Sequence, residues 1–343
     1  MNRWVARIWA EDCGATRILS PFGRLYGLVT GARMRRAPIG RVAIPVIAVG
    51  NFTVGGAGKT PTVGALVRMA RAGGLTPMVV TRGYGGRLEG PVVVDLAHHG
   101  ARDVGDEALL HARLATTIVS RDRLAGARLA ERLGAHLVLL DDGFQNPRLA
   151  KDLSLVVVDR ASGLGNGRVM PAGPLRAPLA IQIERADALV IVDSGEGTHP
   201  STLALIETAA ARGLPVFDAR LAPLDPEQVA GRRVVAFAGI GQPGKFAATL
   251  AACGAQVVDF VAFADHHPYT AGEAADLLKR AAAADADLVT TAKDAARLDA
   301  PDGPIARLAR GARVLDVALV FDDGEGLVRL IGATMAGLDR RPA

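Results

Sequence analysis

The sequence predicts an α/β protein. It reads as a doubly wound, mostly parallel sheet preceded by an amphipathic helix, with a second, smaller α/β unit joined to it by two strands. Three observations predict this. From Val42 onward short apolar runs alternate with helical patterns, and several runs are continuous, as strands buried on both faces of a parallel sheet are. One run leads through a glycine-rich turn straight into a helix. A further strand–helix series starts near residue 221, flanked by the extended segments Leu214–Leu221 and Arg313–Phe321.

The 343 residues give length for about two domains, and half of them are hydrophobic, enough for a core in each. Cys13 and Cys253 stand far apart with no metal-ligand spacing, which fits a reduced setting with both thiols structural. Charge is uneven. Residues 1–41 carry Arg3, Arg7, Arg17, Arg24, Arg33, Arg35, Arg36 and Arg41 against only Glu11 and Asp12. That +6 exceeds the +5 of the whole chain, so the remainder is close to neutral. The basic balance belongs to one segment and does not point to nucleic acid.

The first segment, residues 1–40, also holds Trp4 and Trp9. Ser20 and Pro21 predict a helix start, as N-cap and first helical residue. Phe22, Leu25, Tyr26 and Val29 then recur at helical spacing and make one apolar face. No uncharged apolar run reaches the ~18 residues of a membrane span, and Arg7, Glu11 and Asp12 interrupt any signal-peptide core. Two readings remain: a helix in the membrane interface over residues 1–36, or one docked on its own domain with a solvated basic edge.

The expected strands of the main unit, residues 41–220, are Val42–Val49, Met78–Thr81, Val92–Asp95, Thr116–Val119, Leu137–Leu140, Leu155–Asp159 and Ala188–Val192. Helical patterns lie between them, one stopped by Gly73 and Gly74, another running from Arg121 to Leu133. In the smaller unit, residues 221–321, strands are expected at Arg233–Ala238, Gln256–Val261 and Asp287–Thr290, with helices near 243–252 and 271–284. A final helix, about 325–337 within 322–343, rejoins the main unit.

The chemistry starts after the first strand. The loop Thr53, Val54, Gly55, Gly56, Ala57, Gly58, Lys59, Thr60 has the strand before it and the helix after it that a phosphate cradle needs. Backbone N–H groups and the helix dipole then converge on one concavity. Lys59 would reach the β- and γ-phosphates of ATP, and the Thr60 hydroxyl would coordinate Mg²⁺. Thr53 stands where the common loop opens with glycine, but Gly55, Gly56 and Gly58 supply the flexible part. The competing reading is a glycine-rich turn that binds nothing. The metal also needs a carboxylate at a neighbouring strand end, and Leu137–Leu140 runs into Asp141 and Asp142. Acid pairs at strand ends are ordinary, so this signal gains its weight from the loop.

Transfer of a phosphoryl group to a hydroxyl also needs a base. Asp106 in "VGDEALL" and the pair His266/His267 in "DHHPY" are the candidates. A carboxylate fixing an imidazole tautomer can polarise an alcohol. Taken alone, each of these residues reads first as structural.

Eight fragments occur in order: "LYGLV", "VGNFTVGGAGKTP", "TRGYGG", "VGDEA", "DDGFQ", "NGRVMPAGPLR", "DHHPY" and "TAKDA". With them the chain closely resembles the tetraacyldisaccharide 4'-kinases over almost its whole length. The resemblance implies two α/β domains with a two-stranded linker and an N-terminal helix on the cytoplasmic face of the inner membrane. It implies transfer of the γ-phosphate of ATP to the 4'-hydroxyl of a tetraacylated glucosamine disaccharide 1-phosphate, in lipid A biosynthesis. It also implies site roles: Thr53–Thr60 as the ATP loop, Asp106 with His266 as the catalytic pair, Asp141 and Asp142 as metal carboxylates with Gln145 close by. Arg176 matches the arginine of "PAGPLR", placed toward phosphate, with Arg123 a weaker candidate for that duty. Ala177 departs from the pattern, since many members carry glutamate there.

Two rival classes follow from the residues. Partitioning-type regulatory ATPases share the loop and use amphipathic helices, but place lysine where this chain has Val54. A nucleotide-gated scaffold would share the loop and need no base.

Overall fold

The computed structural model describes residues 3–10, 13–193, 195 and 197–338; Glu11, Asp12 and residues 339–343 lie outside them. Thirteen strands occur among the described residues. They are β1 (Val46–Gly50), β2 (Pro77–Thr81), β3 (Val92–Val93), β4 (Thr117–Val119), β5 (Leu137–Asp141), β6 (Leu153–Asp159), β7 (Ala188–Asp193), β8 (Val216–Pro223), β9 (Arg233–Ala238), β10 (Gln256–Ala262), β11 (Asp287–Thr291), β12 (Arg313–Leu315) and β13 (Val317–Phe321).

Nine of them form one sheet in the order β13-β8-β7-β6-β1-β5-β2-β4-β3, parallel except for β3 and β13 at its two edges. Alternation along β1 explains why its run is continuous. Ile47 and Val49 enter a core with Val63, Leu66 and Val67 of the helix Lys59–Ala72. Val46 and Ala48 enter another with Leu124 and Ala127 of the helix Arg123–Arg132. Both faces are covered, so no polar alternation is tolerated. The final helix, Gly324–Leu338, packs Leu327 into the first of these cores.

The other four strands form an all-parallel sheet, β10-β9-β11-β12. The chain leaves the large sheet after β8 and returns through β13, which pairs antiparallel with β8 from Val317↔Pro223 to Phe321↔Ala219. Each sheet reverses its strand order at its first strand, β1 in one and β9 in the other. A crevice opens at the carboxyl ends of the strands at such a point.

Four expectations change. The first strand begins at Val46, because Pro45 has no N–H for the ladder and the Val46 amide bonds the Asp152 carboxylate at 2.9 Å. The segment Arg313–Phe321 is two strands in different sheets, divided at Asp316, whose carbonyl takes the Leu224 amide at 3.0 Å. The strand from Val92 stops at Val93. The N-terminal helix is Gly14–Met34, capped by Cys13, with Pro21 inside it and not at its start.

That helix docks through a face the apolar pattern did not mark. Gly23, Gly27 and Gly31, four apart, are buried against Val169, Ala172, Pro178 and Ile181. The opposite face leaves Ile18 (74%), Phe22 (63%), Leu25 (63%) and Val29 (63%) exposed. Trp9, on the preceding helix Arg3–Ala10, donates to the Pro171 carbonyl at 3.1 Å. Among the described residues no helix is long and apolar enough to cross a membrane.

Candidate active site

The glycine-rich loop leaves β1 at the strand-order reversal of the large sheet. Asn51 and Phe52 are buried, and the loop is anchored by the Val54 amide on the Pro174 carbonyl at 2.8 Å. Gly55 and Gly56 face open space, where an added Cβ would meet nothing within 4 Å. Gly58 caps the helix Lys59–Ala72 with φ 94°, turning the preceding amides toward the same opening. Lys59 lies 3.7 Å from Asp142, and the Thr60 hydroxyl donates to Glu107 at 3.2 Å.

β5 neighbours β1, with Val49 opposite Asp141, so the acid pair arrives beside the loop. The two acids differ. Asp141 is buried; its Oδ2 meets the ring of His111 at 3.1 Å, and its Oδ1 has no hydrogen-bond partner. Burial opposes its ionisation, but the His111 hydrogen bond and nearby lysines outweigh that and hold the carboxyl low. Asp142 is half-buried in a left-handed backbone, φ 52°, and takes Arg176 on both oxygens at 2.8 and 3.0 Å. The other donor edge of Arg176 holds the Thr53 carbonyl at 3.0 Å. Arg123 is buried beneath this floor, donating to Ser120 and Asp141 carbonyls and not facing the opening.

Asp106 opens the helix Asp106–Ala112 after Gly105. Gly105 has φ 84°, and a Cβ there would lie 2.3 Å from the Tyr84 carbonyl, so only glycine fits the turn that presents Asp106. The Asp106 Oδ2 meets His266 Nδ1 at 3.0 Å and Arg297 Nε at 2.8 Å. His266 follows β10 and Arg297 follows β11, so both come from the carboxyl end of the small sheet. Arg297 also donates to the Gly239 carbonyl at 2.7 Å and Asp294 at 3.0 Å.

Burial disfavours the Asp106 anion, yet the His266 hydrogen bond and the Arg297 charge together hold its carboxyl well below the usual range. The same hydrogen bond raises the His266 imidazole above its usual value, against its partial burial. His266 sits at φ 58°, a backbone that costs energy for a residue with a side chain and clusters at functional sites. With Asp106 ionised, Nδ1 of the neutral ring donates and Nε2 is left to accept a proton. His267 turns away, onto Glu273 at 3.0 Å and stacked on Phe263.

The structure therefore brings together Lys59, Thr60, Asp141, Asp142 and Arg176 around the loop, and Asp106 with His266 across from it. Sequence reasoning gave no role to Glu107, His111, Lys293 or Arg297. The fragment "TTAKDAARL" was the available signal, with its two cations four residues apart. Ala177 is buried in the apolar cluster with Phe52 and Phe144, its carbonyl taking Gln182 at 2.8 Å.

The residues suit Mg²⁺. A buried carboxylate oxygen without a partner and a nearby hydroxyl are oxygen donors of the hard kind. Among the described residues no group of three or more His, Cys, Asp or Glu could hold a metal ion by itself, so phosphate oxygens would have to complete the shell.

The family model described as tetraacyldisaccharide-1-P 4'-kinase matches residues 15–335. The tetraacyldisaccharide 4'-kinase of Methylobacterium radiotolerans is 52% identical over 325 residues, 94% of this chain and 96% of that one. That of Methylorubrum populi is 54% identical over 320 residues, 93% of this chain and 94% of that one. A crystal structure of LpxK from Aquifex aeolicus in complex with ATP superposes with a TM-score of 0.70 at 27% identity, covering 94% of this chain and 99% of that chain. With similarity of that depth along nearly the whole length, the chain belongs to the tetraacyldisaccharide-1-P 4'-kinase family.

Proposed function

We propose that the chain is an ATP-dependent kinase that phosphorylates the 4'-hydroxyl of a tetraacylated glucosamine disaccharide 1-phosphate. The observation that carries this is the 3.0 Å contact between Asp106 and His266, with a phosphate-binding loop opposite. In this reading Thr53–Thr60 cradle the phosphates, Lys59 meets the β- and γ-phosphates, and Arg176 orients the loop and Asp142 toward them. Thr60 and Asp141, with Asp142 beside them, would hold Mg²⁺, which would supply charge neutralisation on the phosphoryl oxygens.

His266 Nε2 removes the proton of the 4'-hydroxyl. Asp106 keeps the ring in the right tautomer and offsets the imidazolium that forms. The sugar oxygen then bonds to the γ-phosphorus, the bond to the bridging oxygen breaks, and ADP leaves with the electron pair. The two crevices close on each other and exclude water from the transfer.

A lipid acceptor also accounts for the N-terminal helix. Its exposed apolar face, with Arg17, Arg24, Arg33, Arg35 and Arg36 on the same segment, suits an interface between water and anionic headgroups. Residues 1–36 then park the enzyme on the cytoplasmic face of the inner membrane. The working units of this reading are 1–40 at the membrane, 41–220 with 322–343 around the nucleotide, and 221–321 delivering His266.

The test is incubation with γ-labelled ATP, Mg²⁺ and the disaccharide 1-phosphate lipid, followed by separation of lipid products. Label in a 4'-phosphorylated lipid is expected. ATP turnover driven by DNA or a protein partner, without labelled lipid, would overturn the reading.

A further inference from the structure

We infer that Lys293, carried in from the small sheet, is a catalytic cation of the transfer, placed to meet the γ-phosphoryl oxygens across from Lys59. The inference rests on the kinase reading above and assigns a residue to it.

The segment after β11 is seated on the helix Asp106–Ala112. Ala296 is buried in one cluster with Val104, Ala108 and Leu109 of the large-sheet side. That contact lays the short helix Ala292–Ala295 and the residues after it along two consecutive acids. Arg297 reaches Asp106, and Lys293 reaches Glu107 at 2.7 Å.

The two cations are used differently. Arg297 is 6% exposed, and its guanidinium spans Asp106, Asp294 and the Gly239 carbonyl. It is a positioning residue, holding the base's partner in register with the small sheet. Lys293 has three N–H donors, one described partner and a side chain 31% exposed. Its partner oxygen, Glu107 Oε1, also accepts the Thr60 hydroxyl at 3.2 Å. The ammonium thus stands within two hydrogen bonds of the Thr60 hydroxyl that would hold the metal. Lys59, on the loop side, lies 3.7 Å from Asp142, the second of the strand-end acids.

Lys59 comes from the loop and Lys293 from the facing unit. A γ-phosphoryl group between them would be flanked by cations on two sides. Charge on its oxygens during transfer is what preplaced cations stabilise. Lys293 keeps its protons throughout; the hydroxyl proton goes to His266 and ADP departs with the electron pair.

The competing account is a clamp, in which the Lys293–Glu107 pair only ties the units together. Measurement of ATP and ADP binding in Mg²⁺, together with kcat and melting temperature, separates the two. Lys293→Met is expected to lower kcat about 100-fold. It should erase the preference for ATP over ADP, leave ADP affinity unchanged within about twofold, and melt like the parent. Glu107→Gln removes the ion pair but keeps the ammonium, so it should retain that preference. Lys293→Gln, which can still bond Glu107, gives the same readout if the Met variant melts early. An unchanged ATP-over-ADP ratio in the Lys293 variants overturns the inference. So does equal loss of the ratio in Glu107→Gln, which would mark a clamp. A parent protein that prefers ATP but leaves the disaccharide lipid unlabelled would instead overturn the acceptor assignment.

Discussion

In the proposed mechanism the chemistry concentrates on one buried carboxylate and one exposed ring. Asp106 is 5% exposed and fully engaged, while His266 keeps a side chain 38% exposed and one nitrogen facing outward. Removal of a positioned base costs about 10²-fold or more in rate. Asp106→Asn and His266→Ala are therefore each expected to lower kcat at least that far with little change in KM for ATP, measured by lipid product formation.

The pH dependence follows from the same pair. His266 faces Asp106, Asp265, Arg297 and the Tyr84 ring, and the ring, raised in basicity, must lose the proton it holds before it can take one from the substrate. The acid limb of the kcat/KM profile should fall above the usual imidazole value of 6.5 and move down in Asp106→Asn. The stability linkage has the opposite sense for the two groups. Asp106, depressed, stabilises above its ordinary 3.8 and loses this as pH falls through its folded value. His266, raised, stabilises below 6.5 and loses this as pH rises through its folded value. The melting difference between the parent and His266→Ala should thus be largest between 3.8 and 6.5 and shrink at higher pH. A difference that grows with pH would contradict the pairing.

Among elements, two helices decide the most. Asp106–Ala112 presents Asp106 and Glu107 at one end and His111 at the other, so one short helix touches His266, the Thr60 hydroxyl and Asp141. The helix Gly14–Met34 depends on absent side chains. A Cβ at Gly23 would stand 2.7 Å from the Val169 carbonyl, a backbone atom that cannot rotate away. Gly23→Leu should lower stability by about 1–3 kcal/mol, as overpacking does. The exposed Phe22→Ser should stay within about 0.5 kcal/mol. Urea midpoints check both.

This helix was only half legible. Its apolar face could be read from spacing, but Ser20 and Pro21 signalled a start that the fold overrides. Thr16 is fully buried and bonds the Cys13 carbonyl, pinning the turn before the proline. Local capping rules cannot register the packing of Gly23 on Val169 and Ala172, far along the chain. The loop residues Lys59 and Thr60 and the acids Asp141 and Asp142 were legible because each fragment carries its own strand and turn. Glu107, Lys293 and Arg297 were not, because their meaning lies in contacts spanning up to 191 residues.

At the scale of the molecule, two parallel sheets turn their carboxyl ends toward one another. Lys245, on the helix Pro243–Ala252, ties the small sheet's side to Asp159 at the end of β6 at 2.7 Å, and Arg297 does the same at Asp106. The exposed face of the N-terminal helix lies outside this arrangement. Replacing Phe22, Leu25 and Val29 together by Ser should abolish flotation with anionic vesicles while leaving ATP binding intact. Vesicle flotation that survives the triple change would remove the helix from the membrane contact.

Much was determined by sequence alone: two parallel α/β units, the nucleotide loop, the strand-end acids and the family, because these are written in short runs whose spacing local backbone geometry enforces. Tertiary structure alone decided that His267 turns to Glu273, which face of the first helix is covered, and that Lys293 and Arg297 reach Glu107 and Asp106. Those outcomes depend on how separate segments bury surface and satisfy charge against each other, and no local pattern encodes that.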